Sequence, residues 1–182
     1  MPQAREIAHR ISDTPRHWAA RAPDNIAVRE NGRTVKFARL WADIGLAQRY
    51  LQEQGVAAGD RVLIAGENCL PVITLIFALS ELGAWPVVTN ARLTAREIEE
   101  IRAHCTPRLM LFTHAASPDA LRHGLRYRAR EIEPAIFFLK LRRIGGLGVV
   151  LRLGGEAAGQ VVGQGGQNGI GSDLRQLWRQ GF

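Results

Sequence analysis

Cysteine is scarce in this sequence. Cys69 and Cys105 are the two in 182 residues, and they form no C-x-x-C pair. A disulfide-stapled scaffold and a cysteine-based zinc ribbon are excluded, which leaves two small hydrophobes suited to burial in a reducing compartment. Long apolar runs are also missing. Leu70–Leu82 spans 13 residues and contains Thr74, Ser80 and Glu81, short of the roughly 20 residues needed to cross a bilayer. The start, MPQAREIAHRISDTPRHW, is charged and has no unbroken apolar core of the signal-peptide kind. No transmembrane segment and a cytoplasmic location are therefore expected. His9, His17, His104, His114 and His123 show no H-E-x-x-H or comparable spacing, so no metal site is expected. Nothing marks a nucleophile elbow either, and no catalytic or cofactor-binding residue is nominated.

Charge is plentiful but unclustered. The net charge is +7, which would ordinarily raise nucleic acid as a partner. Through Tyr127 there are 16 basic and 13 acidic side chains, and from Arg128 onward 8 and 4. No basic run exceeds the pair Arg142 and Arg143, and aromatics do not interleave as stacking platforms. No nucleic-acid partner is expected. Hydrophobic residues at 46% and charged residues at 23% fit a globular domain.

Local signals are dense up to Pro134. A short helix is read at Arg5–Ile11, and a second beginning at Pro15, capped by Asp13 or Thr14. Two β-leaning runs flank Asn31-Gly32, the strongest short-range hairpin signal. From Ala38 to Gln54 the period changes, with Leu40, Ile44, Ala47 and Leu51 on one helical face before Gly55. Arg61–Ala65 (RVLIA) and Arg108–Thr113 (RLMLFT) read as strands buried on both faces, as in parallel sheets covered by helices. Between them lie an all-round apolar helix, Leu70–Leu82, with Leu75, Leu79 and Leu82 in the core, then the strand Trp85–Thr89 and a helix over Leu93–Ala103. Thr94 and Glu97 form a capping box for that helix. A further helix, Ser117–Tyr127, is capped by Ser117 with Pro118 first. This alternation predicts an α/β fold: a partial three-layer α/β/α arrangement with a mostly parallel sheet, right-handed crossovers and an N-terminal β-hairpin.

Beyond Pro134 the agreement between caps, turns and period is lost. Ala135–Leu141 (AIFFLKL) reads as a strand, but Gly145–Gly171 holds 11 glycines in 27 residues. Ordering so much glycine is entropically costly. An irregular tail is predicted over 135–182, apart from a domain over 1–134. GQNGIG before SDLRQLW is a poor phosphate loop, because VVGQGG is a weak strand and no lysine follows.

Three stretches carry a family resemblance. They are TPRHWAARAPDNIAV, then TVKFARLWADIGLAQRYLQEQGVAAGDRVLI, then ENCLPVITLIFALSELGAWPVVTNARLTAREI. From Thr14 to about Pro134 the chain resembles the N-terminal portion of the AMP-forming adenylating enzymes, which include acyl-CoA synthetases, luciferases and peptide-synthetase adenylation domains. The second stretch follows "T-Y/F-x-E-L" through a helix to "G-V-x-x-G-D-R-V", and the third follows the family's "G-A…N-P…T-x-x-E-I" pattern. Arg39 stands where the family usually has Glu, Ala91 where it has Pro, and Val88 near another usual Pro.

The resemblance implies a parent reaction in which carboxylate, ATP and CoA give acyl-CoA, AMP and pyrophosphate, a ligase chemistry of fatty acid metabolism using ATP, Mg and CoA. The family's phosphate loop, like "Y-T-S-G-T-T-G-x-P-K-G", does not occur in these 182 residues, nor do "Y-G-x-T-E" or the C-terminal catalytic lysine segment. Adenylyl transfer depends on positioned cations and N–H donors, so the resemblance implies a fragment inactive alone, with no cofactor of its own. Two alternatives stand beside it: a non-catalytic interaction module, self-associating or completing a split enzyme through exposed apolar surface, and a weak nucleotide-binding domain using the glycine tail. Asn68, Cys69 and Asn90 follow strands whose loops lie near the acyl pocket in the resembled family, with turn or capping roles as the simpler reading. His114 follows a strand end, where ligands gather in open α/β sheets; a polar strand cap is the plainer role.

The abrupt change near residue 134 suggests a shifted reading frame or a piece of a longer gene. The encoding DNA, read in its other two frames beyond that point, is expected to carry the phosphate-loop string. Two frames without any family-like continuation would remove the idea.

Overall fold

The computed structural model describes residues 9–114 and 116–129, together with the backbone of 149–151. The helix expected at Arg5–Ile11 lies mostly outside these residues, and its end, residues 9–11, is bend and turn. The first helix, α1, covers Asp13–Arg21 with Ser12 at its cap position. It starts two residues before the expected Pro15, and Asp13 is not its cap. The Asp13 carboxylate instead accepts the backbone N–H groups of His9 and Arg10, each at 2.9 Å, so it fixes the entering chain.

The hairpin forms as expected, with β1 (Ile26–Glu30) antiparallel to β2 (Arg33–Lys36). Asn31 and Gly32 both take positive φ, 47° and 76°, the conformation a two-residue hairpin turn requires. Next, α2 (Phe37–Glu53) buries Leu40, Asp43, Ile44, Ala47 and Leu51 along one stripe.

The main sheet runs β4-β3-β5-β6, with every neighbouring pair parallel. Its strands are β3 (Arg61–Gly66), β4 (Trp85–Asn90), β5 (Leu109–Thr113) and β6 (Val149–Leu151). The helices between them are α3 (Leu70–Leu82), α4 (Ala95–Cys105) and α5 (Pro118–Arg126). From β3 the chain steps to β4 on one side, then returns past β3 to β5 on the other. Alternate side chains on β3 and β5 feed two separate cores. Val62, Ile64, Leu109 and Leu111 join Ile44 and Leu51 of α2 and Leu75 and Leu79 of α3. Leu63, Ala65, Met110 and Phe112 join Ile98 and Cys105 of α4 and Ala120 of α5. This double burial is why both strands are apolar at consecutive positions.

Caps at the helix ends follow local sequence in three places. Gly83 takes φ +68° after α3, Thr94 and Glu97 make a reciprocal capping box on α4, and Ser117 accepts the Ala120 N–H at 3.3 Å on α5. The N-terminus of α3 is capped from far away. Glu30, at the end of β1, accepts the Leu70 N–H at 2.8 Å and so ties the hairpin to the sheet. At the other end of α3, Arg10 donates to the Glu81 carbonyl at 3.0 Å and Ser12 meets Ser80 at 3.0 Å.

One segment differs from expectation within the glycine-rich region. Val149–Leu151 is not irregular but pairs with the free side of β5. The run Val149, Val150, Leu151 is apolar with two β-branched residues, and an adjacent unpaired ladder gives it backbone partners. The remainder of 135–182, including the strand expected at Ala135–Leu141, lies outside the described residues.

Arg39 stands at a position usually occupied by Glu in the resembled family, and the fold supplies the reason. One turn later Asp43 is 3% exposed, and Arg39 Nε donates to both its carboxylate oxygens at 2.9 and 3.0 Å. Burial pushes the Asp43 carboxyl above its ordinary 3.8, and Arg39 opposes that rise. Removing one partner of a fully buried pair costs roughly 3–5 kcal/mol. Arg39 is 43% exposed, so solvent screening reduces the expected cost of Arg39→Ala to about 1–2 kcal/mol. Native Asp43 binds a proton more readily than unfolded Asp43, so its contribution improves as pH falls through its raised pKa. Denaturant unfolding at neutral pH and at about pH 4.5 should therefore show a smaller Arg39→Ala loss in acid. An equal loss at both would refute the pairing.

Candidate functional site

β3 and β5 are neighbours, yet the helices that follow them pack into different cores, α3 with one and α5 with the other. Their carboxyl ends therefore flank a topological switch point, the place where open α/β sheets take ligands. Three segments lie at this end of the sheet: 67–69 after β3, 91–94 after β4, and His114 after β5.

Close packing defines the centre of this region. A Cβ on Gly66 would stand 2.1 Å from Thr113 Oγ1, so glycine is required by space. Thr113 is 1% exposed, and its hydroxyl has no conventional hydrogen-bond partner among the described residues. It faces the Cys69 thiol, which burial pushes up in pKa, with the Glu30 and Glu67 charges acting in the same direction. A thiol so placed stays protonated and is no nucleophile.

The residues nominated from sequence separate into different roles. Cys69 is buried at the cap position of α3 without a side-chain capping bond, whereas Asn68 is exposed beside it. Asn90 Oδ1 accepts the Arg92 N–H at 2.8 Å, a turn-forming role. His114 is half-buried at the end of β5 and donates its backbone N–H to the Phe112 carbonyl at 3.0 Å. His123 is 7% exposed, and its Nε2 lies 3.1 Å from the Ala91 carbonyl and 2.9 Å from the Leu93 carbonyl. Both partners only accept, so Nε2 carries the proton and pins the β4–α4 loop to α5. His9 precedes α1, His17 lies on α1 and His104 on α4, and among the described residues no three of His, Cys, Asp and Glu converge to hold a metal.

Glu30, Glu67, Arg92 and Thr113 are the site residues that sequence reading passed over. Glu67 pairs with Arg92 at 2.9 Å across two loops. Glu30 caps a helix forty positions away, a relation without any local signal. Together they set the charge at the strand ends. Two carboxylates stand beside the N-terminus of α3, the first N–H of that helix is already bonded to one of them, and Arg92 is engaged in an exposed ion pair with the other. A triphosphate with its magnesium ion needs free N–H donors and uncommitted cations. These residues do not fit it.

The comparisons agree with this architecture. Residues 15–142 match the family model described as AMP-binding enzyme, and the chain belongs to that family. It is 31% identical over 129 residues to a feruloyl-CoA synthase from Amycolatopsis sp, covering 69% of this chain and 26% of that protein. It is 32% identical over 95 residues to a 2-succinylbenzoate–CoA ligase from Oceanobacillus iheyensis, covering 50% of this chain and 20% of the relative. The crystal structure of a long-chain-fatty-acid CoA ligase from Rhodopseudomonas palustris superposes with a TM-score of 0.57 at 27% identity, over 64% of this chain and 30% of that one. The N-terminal subdomain of NpsA from Klebsiella oxytoca shares the fold, with a TM-score of 0.53 at 24% identity over 56% of this chain and 27% of that one. The chain thus spans about a fifth to a quarter of the length of these curated relatives.

Gly66→Ala should destabilise the fold by about 1–3 kcal/mol, the usual cost of overpacking. Thr113→Ala in the same chain should recover part of that loss by removing the hydroxyl. Strictly additive effects in thermal unfolding of the two single variants and the double variant would show that the contact does not matter.

Proposed function

We propose that this chain carries the opening portion of an AMP-forming ligase that joins a carboxylate to CoA, and that by itself it performs no adenylation. The observation behind this reading is the charge at the strand ends. Glu30 and Glu67 occupy the neighbourhood of the α3 N-terminus, and the 182 residues contain no Gly-rich loop with a lysine to hold phosphates. Adenylate formation builds negative charge on the leaving pyrophosphate, and without positioned cations and backbone donors that charge has nothing to stabilise it. In this reading the parent enzyme used ATP, Mg and CoA, and the carboxylate substrate was chosen by segments this chain does not contain. Burial of the Cys69 thiol beside two carboxylates supports the absence of covalent catalysis as well.

Exposed apolar residues support a second role as an association surface. Trp85 is 66% exposed and Val88 47% exposed, far above the level of a covered core position, and they suit a second copy or the rest of a split enzyme. No helix among the described residues is long and apolar enough to cross a membrane.

Purified chain, given Mg-ATP, CoA and a panel of aromatic and aliphatic carboxylates, is expected to release no pyrophosphate above a no-protein control. Calorimetric titration with Mg-ATP is expected to give no saturable heat in the micromolar range. Steady AMP formation would overturn the proposal.

A further inference from the structure

Strand β5 is buried at every position, and β3 pairs with one of its edges. Arg108 N–H donates to the Arg61 carbonyl at 2.7 Å. Backbone groups alternate sides from residue to residue along a strand, so Met110 and Phe112 also turn theirs to β3. Leu109, Leu111 and Thr113 turn theirs to the outer edge. There β6 runs parallel, with Leu111 opposite Val149, Phe112 opposite Val150 and Thr113 opposite Leu151. That register sets the backbone of Val150 between Leu111 and Thr113, so Val150 is the residue of β6 that turns both N–H and C=O to β5.

Three observations mark β6 as an added strand. It lies beyond residue 142, where the match to the AMP-binding enzyme family ends. It has 3 residues against the 5 of β5, and Leu109 stays beyond its last paired position. In the sequence GGLG precedes it and RLGG follows it, neighbours whose ordering is entropically costly. The edge it covers needs a cover, because LMLFT carries neither the charge nor the proline that guards an open edge.

We infer that the outer edge of β5 is a strand-acceptor site, held in cis by Val149–Leu151, to which an extended apolar segment of another polypeptide adds in parallel by displacing β6. The strand already seated there shows the chemistry the edge accepts: uncharged, apolar and β-branched. Main-chain bonds supply the affinity in such strand addition. An incoming strand as long as β5 also reaches Leu109, which β6 leaves unpaired. Tethering gives β6 a high effective concentration that a competitor must exceed, so β6 keeps the edge closed to weak or short partners. The inference rests on the pairing of β5 and is independent of whether the chain adenylates anything.

Hydrogen exchange on the full 182-residue chain reads the device directly. The Leu111 and Thr113 amides are expected to exchange at least about tenfold faster than those of Met110 and Phe112, because β6 opens locally while the β3–β5 pairing holds. Val150→Pro removes the central donor of β6 and should release it. A fluorescently labelled peptide LGVVLRL, residues 147–153, is expected to bind this variant at least about tenfold more tightly than the wild type in an anisotropy titration. The same peptide carrying Val150→Pro should bind neither chain. Equal exchange of the four amides overturns the inference, and this readout survives if the proline variant folds poorly. A variant with an unchanged circular dichroism spectrum that does not bind the peptide overturns it too. So does equal peptide binding by variant and wild type, or equal binding of the two peptides, since either would place the contact away from the β5 edge.

Discussion

Strands β3 and β5 have no solvent face, and the rest of the fold answers that constraint. Each places consecutive apolar side chains on opposite sides of the sheet, so helices must cover both. The steps from β3 to β4 and back past β3 to β5 meet the requirement, with α2 and α3 sharing one core and α4 and α5 the other. Burial of Val62, Leu63, Ile64, Leu111 and Phe112 at 0% exposure follows, and so does the position of the switch point at the carboxyl ends of these two strands.

The chemistry available at that point is set by charge rather than by shape. In many α/β folds the helix after a strand turns free N–H groups toward a phosphate. Here Glu30 reaches over from the hairpin and takes the first of them on α3, while Glu67 takes Arg92. The arrangement serves stability, since a carboxylate at a helix N-terminus is favourable, and it leaves the strand ends poor in free positive charge. Membership of the AMP-binding enzyme family is therefore compatible with the lack, among the described residues, of a site fit for Mg-ATP. The chain spans a minor part of its relatives, and the segments that carry phosphate chemistry in the resembled family are not among its residues.

Polar side chains that tie elements together show the same economy. Tyr127 Oη donates to Glu99 at 2.7 Å while its ring stacks on Phe112 at 5.7 Å, which joins α4, β5 and the end of α5. Hydrogen bonds from Arg102 and then Tyr127 hold the Glu99 carboxyl down at about 2. Burial, followed by the hydrogen bond to Glu99, pushes the Tyr127 phenol up to about 12. Both groups are thus fixed in one protonation state across the physiological range, as befits a structural tie. His123 is a structural tie of another kind: its Nε2 lies within hydrogen-bond distance of two carbonyls of the β4–α4 loop.

Sequence alone determined the elements whose signals are local. The Asn31-Gly32 turn, the Thr94–Glu97 capping box, Ser117 before Pro118, Gly83 after α3 and the doubly apolar strands all depend on neighbours within a few positions, and so does the family resemblance. The start of α1 was misplaced because the Asp13 carboxylate could bond either inward to the helix or back to His9 and Arg10, and residue type does not distinguish these. Tertiary structure alone decided which strand lies at the edge, that Glu30 caps α3, that Arg39 answers a buried Asp43, that Gly66 must clear Thr113, and that Val149–Leu151 extends the sheet. Each of these joins a group to a partner or a space that local sequence leaves open, and only the folded chain fixes their distance.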